Sequence, residues 1–277
     1  MGKIKRSQIT GMNFHYLHYP FEYFLDAMVK YQFSQIEVWG AAPHLYVEDL
    51  SLADIRKRKA EIDQRELKVV CFTPEQCMYP INLAAKEQDI RSRSIRYFKK
   101  SIDAAVELAA PMVLVTAGWG YCNEAREDAW GRARESLEKL TDYAKEQGIV
   151  LALEPLQKIE SNLISTLPDL KEMLDSIPSS ALKGMVDTIP LAVEGEELAS
   201  YFDHLQDDFI HIHFIDGAPT GHLAWGDGNL PLEEYIKTLA DYDYKGALTL
   251  ELISSEYLLN PNQAIEKSLE RLAPFFE

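Results

Sequence analysis

Short apolar segments alternate along the whole chain with longer segments whose apolar residues recur every three or four positions. The first pattern is typical of buried strands and the second of amphipathic helices. Strands are predicted at 9–14, 34–39, 68–73, 111–117, 149–155, 183–188, 209–217 and 247–252. Helices are predicted at 20–31, 53–65, 86–109, 127–147, 167–176, 195–204, 231–242 and 262–274.

This regular alternation defines the fold class. The strand and helix units follow one another without a composition break or a Pro/Gly/Ser-rich linker, so we predict one α/β domain over residues 1–277. A closed (β/α)8 TIM barrel is the common solution at this length. An open doubly wound sheet is the alternative. It would need a phosphate-binding glycine motif, and neither GxGxxG nor GxxxxGKS occurs in the sequence.

The seventh predicted strand, FIHIHFIDG at 209–217, carries the strongest chemical signal. Alternate side chains of a strand share a face, so His211 and His213 point one way while Ile210, Ile212 and Phe214 point the other. A buried imidazole without a partner is costly. The face that carries the histidines must therefore offer them partners.

Three other predicted strands end in a carboxylate. Glu154 ends IVLALEP, Asp187 ends KGMVDT and Glu251 ends ALTLEL, and the aliphatic neighbours of each face the other side. The carboxyl ends of barrel strands form one mouth. We expect five polar residues there: Glu37, Glu154, Asp187, His213 and Glu251. His211 lies one layer deeper, where it would orient a metal ligand rather than bind the metal.

Three carboxylates and one imidazole make a hard, oxygen-rich site. This donor set favours one divalent ion, with Mn²⁺ as the first choice and Co²⁺, Ni²⁺, Mg²⁺ or Zn²⁺ as alternatives. Such an ion could polarise the carbonyl of a sugar, and flanking carboxylates could remove and return the proton on the adjacent carbon. The pattern therefore predicts a sugar epimerase or isomerase.

The composition limits which partners the protein can bind and indicates its cellular compartment. The chain has 28 basic and 44 acidic residues and a net charge of −16, which disfavours nucleic acid. No segment approaches 18 consecutive apolar residues, so we expect no membrane span. Cys71, Cys77 and Cys122 are odd in number and form no CxxC motif, which fits a reducing cytoplasm best.

The motifs IEVWG, LALEPL, MVDT, HIHFIDG and LTLEL, in this order and spacing, resemble the xylose isomerase-like sugar isomerase and epimerase family over essentially the whole chain. The segments IEVWGAAPH, FTPEQCMYPIN, LEPLQKIESN and MVDTIP are most similar to its fructoselysine 3-epimerase branch. The resemblance implies one divalent ion bound by Glu154, Asp187, His213 and Glu251. It also implies that Glu154 and Glu251 are the catalytic acid and base across C3 of a ketose, acting through an enediolate.

The same resemblance implies which residues contact the substrate, a sugar or a sugar-amine such as fructoselysine or psicoselysine. Glu160 matches the family's second carboxylate, six residues after the first metal ligand, and His222 matches a histidine of the fructoselysine branch. Trp39 is a further expected contact. Glu75 and Trp119, together with Tyr79, are expected at the far end of the pocket, where an ammonium would meet a carboxylate and an aromatic face. Barrels of this family often form dimers or tetramers, so a homo-oligomer is compatible with the resemblance.

Other functions share parts of this pattern. An enzyme similar to inosose dehydratase or hydroxypyruvate isomerase would keep the metal ligands of the same barrel family and differ in its loops. Endonuclease IV has the same barrel but would need three zinc ions and a basic DNA-binding face, which an acidic chain does not offer. A non-catalytic binding protein would have no need of paired carboxylates beside a metal.

Overall fold

The computed structural model describes residues 2–77 and 79–277, which form a closed barrel of eight parallel strands surrounded by helices. The strands pair in chain order, and β8 pairs back with β1. They are β1 (Ile9–Met12), β2 (Gln35–Gly40), β3 (Lys68–Pro74), β4 (Met112–Val115), β5 (Val150–Leu153), β6 (Leu182–Asp187), β7 (Phe209–His213) and β8 (Leu248–Leu250). The predicted single-domain (β/α)8 barrel is confirmed.

Nine α-helices are found within the described residues: α1 (Phe21–Lys30), α2 (Leu52–Asp63), α3 (Gln88–Leu108), α4 (Arg126–Gln147), α5 (Leu167–Ser176), α6 (Thr188–Glu194), α7 (Leu198–Leu205), α8 (Leu232–Asp241) and α9 (Pro261–Leu272). Ser51 and Thr166 cap α2 and α5, because each hydroxyl accepts a hydrogen bond from the backbone N–H three residues on. Gly148 ends α4 at a φ of 72°, a left-handed conformation that glycine adopts without strain. Among the described residues, none of the helices combines the length and the apolar composition that a membrane span needs.

The strands have an outer and an inner face. On the outer face, Leu151, Leu153 and Val186 belong to the main apolar core between the strands and the helices. The inner face carries a small separate apolar cluster of Cys71, Leu114, Ala152 and Met185. Ala152 precedes Glu154 by two residues, and Met185 precedes Asp187 by two. The inner cluster therefore lies one layer below the polar residues at the mouth of the barrel.

Ile210 departs from the predicted alternation, since it packs against the inner cluster instead of facing the helices. The register between β6 and β7 changes from Gly184–Phe209 to Met185–His211, which leaves Ile210 as an extra residue on β7. A bulge of this kind redirects the side chain of the extra residue. Beyond the bulge the alternation holds, and His211 and His213 both point into the barrel.

Two helices connect β6 to β7, where the sequence predicted one. α6 begins directly after β6, and Asp187 is its N-cap, with Oδ1 accepting a hydrogen bond of 2.6 Å from the N–H of Ile189. Gly195 ends α6 at a φ of 69°. A helix of 7 residues is too short to show a periodic pattern, so the prediction at 195–204 identified only α7.

Candidate active site

The carboxyl ends of the strands surround a cavity of about 290 Å³. β6 and β7 end at Asp187 and His213, while Glu154 and Glu251 directly follow β5 and β8. Parallel strands bring their carboxyl ends to one rim of the barrel, so these side chains meet although they are far apart in sequence. The lining also includes Phe14, Trp39, Glu75, Cys77, Glu160 and His222.

The four predicted metal ligands form one compact group, and their donor atoms lie within 4.8 Å of one another. His213 Nδ1 is 3.0 Å from Glu251 Oε2, 3.3 Å from Glu154 Oε1 and 3.8 Å from Asp187 Oδ2. This buried nitrogen has no hydrogen-bond partner among the described residues. Because Asp187 Oδ1 caps α6, Asp187 presents Oδ2 to the group.

The electrostatics of this group favour a cation. Burial alone would lower the pKa of His213, but Glu251, Glu37 and Glu154 raise it well above its ordinary value. Burial raises the pKa of Glu154 to about 7, and the charges of Glu251 and Asp187 add to the rise while His213 opposes it. Three carboxylates and an unpartnered imidazole nitrogen are a donor set that fits a divalent ion such as Mn²⁺.

Glu37 on β2 connects the two histidines of β7. Glu37 Oε2 is 2.7 Å from His211 Nε2, and Glu37 Oε1 is 3.0 Å from His213 Nε2. Thr73 also donates a hydrogen bond to Oε1, and all of these side chains are buried. Burial would raise the pKa of Glu37, but the two imidazoles hold it well below its ordinary value. His211 therefore bonds Glu37 and packs against the ring of His213, but its nitrogens do not belong to the group of four donors.

The contacts of Glu37 were not predicted from the sequence. Glu37 was expected at the mouth, but no role was assigned to it. The available signal was a glutamate inside an otherwise apolar strand, IEVW. Glu37, Cys71 and His211 are close enough to count as a second group of metal-ligand types. Glu37 and His211 already bind each other, however, so we interpret this group as support for the first.

His222 reaches the site from the loop between β7 and α8. Its Nε2 lies 3.0 Å from Asp187 Oδ2 and 3.4 Å from Glu251 Oε2. Burial would lower the pKa of His222, but these two carboxylates raise it to about 9. The loop is held by the buried carboxylate of Asp216, a residue that the sequence analysis did not single out. Asp216 accepts hydrogen bonds from the backbone N–H groups of Gly217, Gly226, Gly228 and Leu230.

Three more of the predicted substrate contacts line the same cavity: Trp39, Glu75 and Glu160. Trp39 Nε1 donates a hydrogen bond of 2.9 Å to Glu75 Oε2, which fixes these two side chains against each other. Glu160 Oε2 accepts a hydrogen bond of 3.2 Å from the N–H of Gln157, and burial raises the pKa of Glu160. The cavity thus contains two carboxylates beyond the metal-ligand group.

Trp119 lies outside this cavity, contrary to expectation. Its side chain is 44% exposed and lines a separate cavity together with Tyr79 and Tyr121. The Asn82 amide accepts a hydrogen bond of 3.1 Å from the N–H of Trp119 and donates one of 2.9 Å to its carbonyl. Gly118, at a φ of 77°, turns the chain just before it. These contacts set the direction of the loop, so Trp119 and Tyr79 do not line the cavity around the ligand group, and their contact with substrate stays a prediction.

Comparison with known proteins agrees with this geometry. The family model described as xylose isomerase-like TIM barrel matches residues 25–275. Fructoselysine 3-epimerase from Shigella flexneri is 33% identical over 254 residues, which cover 91% of this chain and 92% of that protein. The family match includes all four candidate metal ligands, and the alignment with the relative covers most of the chain, so the similarity is not confined to one part of the fold.

Solved structures have the same fold. A 3-keto-D-glucoside 4-epimerase from E. coli superposes with a TM-score of 0.82 at 20% identity, covering 97% of this chain and 100% of that one. A D-psicose 3-epimerase from Clostridium cellulolyticum H10 superposes with a TM-score of 0.78 at 17% identity, covering 96% and 99%. The chain belongs to the xylose isomerase-like TIM barrel family, among its ketose 3-epimerases, and is an isomerase of the carbohydrate epimerase class.

Proposed function

We propose that the protein is a cytoplasmic, metal-dependent 3-epimerase that interconverts fructoselysine and psicoselysine, with Mn²⁺ as its metal. The observation that carries this proposal is the group of three carboxylates around the unpartnered Nδ1 of His213. Glu154, Asp187, His213 and Glu251 would hold the ion. Bound there, the ion would polarise the carbonyl of the ketose and so acidify the proton on C3.

Glu154 and Glu251 are the candidate acid and base. They follow β5 and β8, which lie three strands apart around the barrel, so the two carboxylates approach the site from different directions. One glutamate would remove the proton from C3 to leave an enediolate, and the other would return a proton to the opposite face of the sugar. This exchange inverts C3 and leaves the other carbons unchanged.

The other residues that line the cavity support a cationic substrate. Glu75 and Glu160 add two carboxylates to the cavity, and Trp39 and Phe14 add aromatic surface. A sugar that carries a lysine has an ammonium group, which carboxylates and aromatic faces both bind favourably. The similarity to a protein named fructoselysine 3-epimerase supports the same substrate.

The proposal is tested by proton NMR in D₂O. Fructoselysine and free D-fructose are incubated separately with the Mn²⁺-loaded protein, and the signals at C3 are followed. We expect deuterium at C3 of fructoselysine, together with the signals of its C3 epimer.

Each outcome of this experiment is informative. Exchange with D-fructose but not with fructoselysine would keep the mechanism and refute the cationic substrate. No exchange with either sugar, in protein shown to hold metal, would refute the 3-epimerase proposal. It would favour the dehydratase or hydroxypyruvate isomerase alternative, which uses the same ligands.

A further inference from the structure

Glu37 makes a contact that crosses the interior of the barrel. It lies on β2, whereas His211 and His213 lie on β7, and in the closed barrel β8 and β1 stand between these strands. Each carboxylate oxygen contacts a different histidine: Oε2 lies 2.7 Å from Nε2 of His211, and Oε1 lies 3.0 Å from Nε2 of His213. All three side chains have no exposed surface. The contact is therefore a fixed part of the barrel interior.

The chemistry of a carboxylate decides which nitrogen of His213 is free. An ionised carboxylate can only accept hydrogen bonds, so each imidazole must present an N–H at Nε2. In a neutral His213 this places the lone pair on Nδ1, the atom that lies between Glu154, Asp187 and Glu251. An imidazole binds a metal through its unprotonated nitrogen, and the other nitrogen determines its tautomer and ring orientation.

We propose that Glu37 is the positioning residue of the site: it selects the Nε2–H tautomer of His213 and holds its ring so that Nδ1 can bind the metal. Thr73 is part of the same device, since it donates to the oxygen that also accepts from His213. The inference rests on the proposed metal binding. It assigns Glu37 no contact with substrate or metal and predicts an effect on metal affinity that needs no sugar.

The test compares Glu37→Gln with a matched control, Glu196→Gln. An amide offers one accepting oxygen where Glu37 offers two, so it cannot serve both imidazoles in the same way. Glu196 likewise accepts two hydrogen bonds, from the N–H of Leu167 at 2.8 Å and the hydroxyl of Tyr201 at 2.7 Å, but lies among the outer helices. Mn²⁺ affinity of the metal-stripped proteins is measured by calorimetry, and folding by circular dichroism. We expect affinity to fall about 10- to 100-fold in Glu37→Gln and to be unchanged in Glu196→Gln.

A second readout follows the ring itself. The carboxylates around His213 raise its pKa, so the ring nitrogens are read in protein that holds a metal. In protein labelled with ¹⁵N-histidine and loaded with diamagnetic Zn²⁺, the nitrogen shifts of His213 report which ring nitrogen carries the proton and which binds the ion. We expect Nε2–H with a metal-bound Nδ1 in the wild type, and a mixed population in Glu37→Gln. A folded Glu37→Gln protein with wild-type metal affinity and an unchanged tautomer would overturn the inference. Absence of metal binding by the wild type itself would overturn the proposed function and this inference with it, whereas metal binding that Glu37→Gln leaves unchanged would overturn the inference alone.

Thr73→Val covers the case in which Glu37→Gln does not fold. It removes one hydrogen bond to Glu37 Oε1 and leaves both histidines and the carboxylate in place. Thr141→Val is its control, because Thr141 is a buried threonine on α4 whose hydroxyl has no partner among the described residues. We expect Mn²⁺ affinity to fall at least threefold in Thr73→Val only. Equal affinity in the two threonine variants would overturn the inference.

Discussion

His15 makes the stability of the barrel sensitive to acid. It is fully buried just after β1, and neither of its ring nitrogens has a hydrogen-bond partner among the described residues. Burial lowers the pKa of His15 from its ordinary 6.5 to about 3, because a charged imidazolium would lose its hydration there. Below pH 6.5, the unfolded chain therefore binds a proton at His15 that the folded protein does not bind until the pH approaches 3.

The size of the effect follows from that pKa difference. The lowered pKa of His15 contributes stability that is fully present above pH 6.5 and is lost progressively as the pH falls towards 3. The loss is about 1.4 kcal/mol for each pH unit below 6.5, so lowering the pH from 7 to 5 removes about 2 kcal/mol of the free energy of unfolding. Replacing His15 by a side chain that does not titrate should remove this part of the pH dependence of the free energy of unfolding.

His15→Leu is the perturbation, and guanidinium unfolding at pH 7, 6 and 5 is the assay. We expect the free energy of unfolding of the variant, relative to the wild type, to rise by about 2 kcal/mol between pH 7 and pH 5. His18→Gln is the control, since His18 is exposed and lies three residues away. If the free energies of unfolding of His15→Leu and the wild type change in parallel over this range, His15 does not have a lowered pKa in the folded protein. A rise of the same size in His18→Gln would also contradict the effect assigned to His15.

Three further predictions concern the site. Glu251→Gln should lower turnover by about 10²- to 10⁴-fold with the fold retained, because Glu251 lies on the rim after β8; unchanged turnover in a deuterium-exchange assay would contradict its role as acid or base. Glu75→Gln should raise KM for fructoselysine about tenfold, because it removes one charged contact worth about 1.4 kcal/mol. KM for D-fructose, which has no ammonium group, should stay unchanged. Parallel changes for both sugars would argue against an ammonium site at Glu75. Removing the metal with a chelator should abolish deuterium exchange. It should also lower the melting temperature, because metal at about 100 times its Kd adds about 2.7 kcal/mol to the free energy of unfolding. A melting temperature that changes neither with chelator nor with added Mn²⁺ would contradict a resident ion.

The sequence predicted the barrel and the ligand group because both depend on local alternation. A carboxylate or a histidine at the end of an apolar strand reaches the mouth whenever the strands are parallel and closed. Glu154, Asp187, His213 and Glu251 all follow this rule, so their meeting within 4.8 Å could be anticipated. A register shift breaks the rule, and Ile210 was misplaced for that reason.

Features that depend on contacts between distant segments could not be predicted in this way. The direction of Trp119 is set by the Asn82 amide, which belongs to another loop. The partnership of Glu37 with His211 and His213 exists only because β2 and β7 face each other across the barrel. Neither pairing leaves a periodic trace in the sequence.

The four candidate metal ligands all belong to the second half of the barrel, β5 to β8, whereas Glu37, Trp39 and Glu75 belong to the first half. The two halves of the barrel therefore have different roles in the proposed site: the second half would hold the ion, and the first half supplies part of the pocket wall. A recombination of halves between related barrels would exchange that wall and leave the ligands intact. The bond from Glu37 to His213 sets the condition for success, since the incoming half must bring a carboxylate to the same place. With the role proposed for Glu37, a single buried glutamate becomes one of the determinants of which halves are compatible.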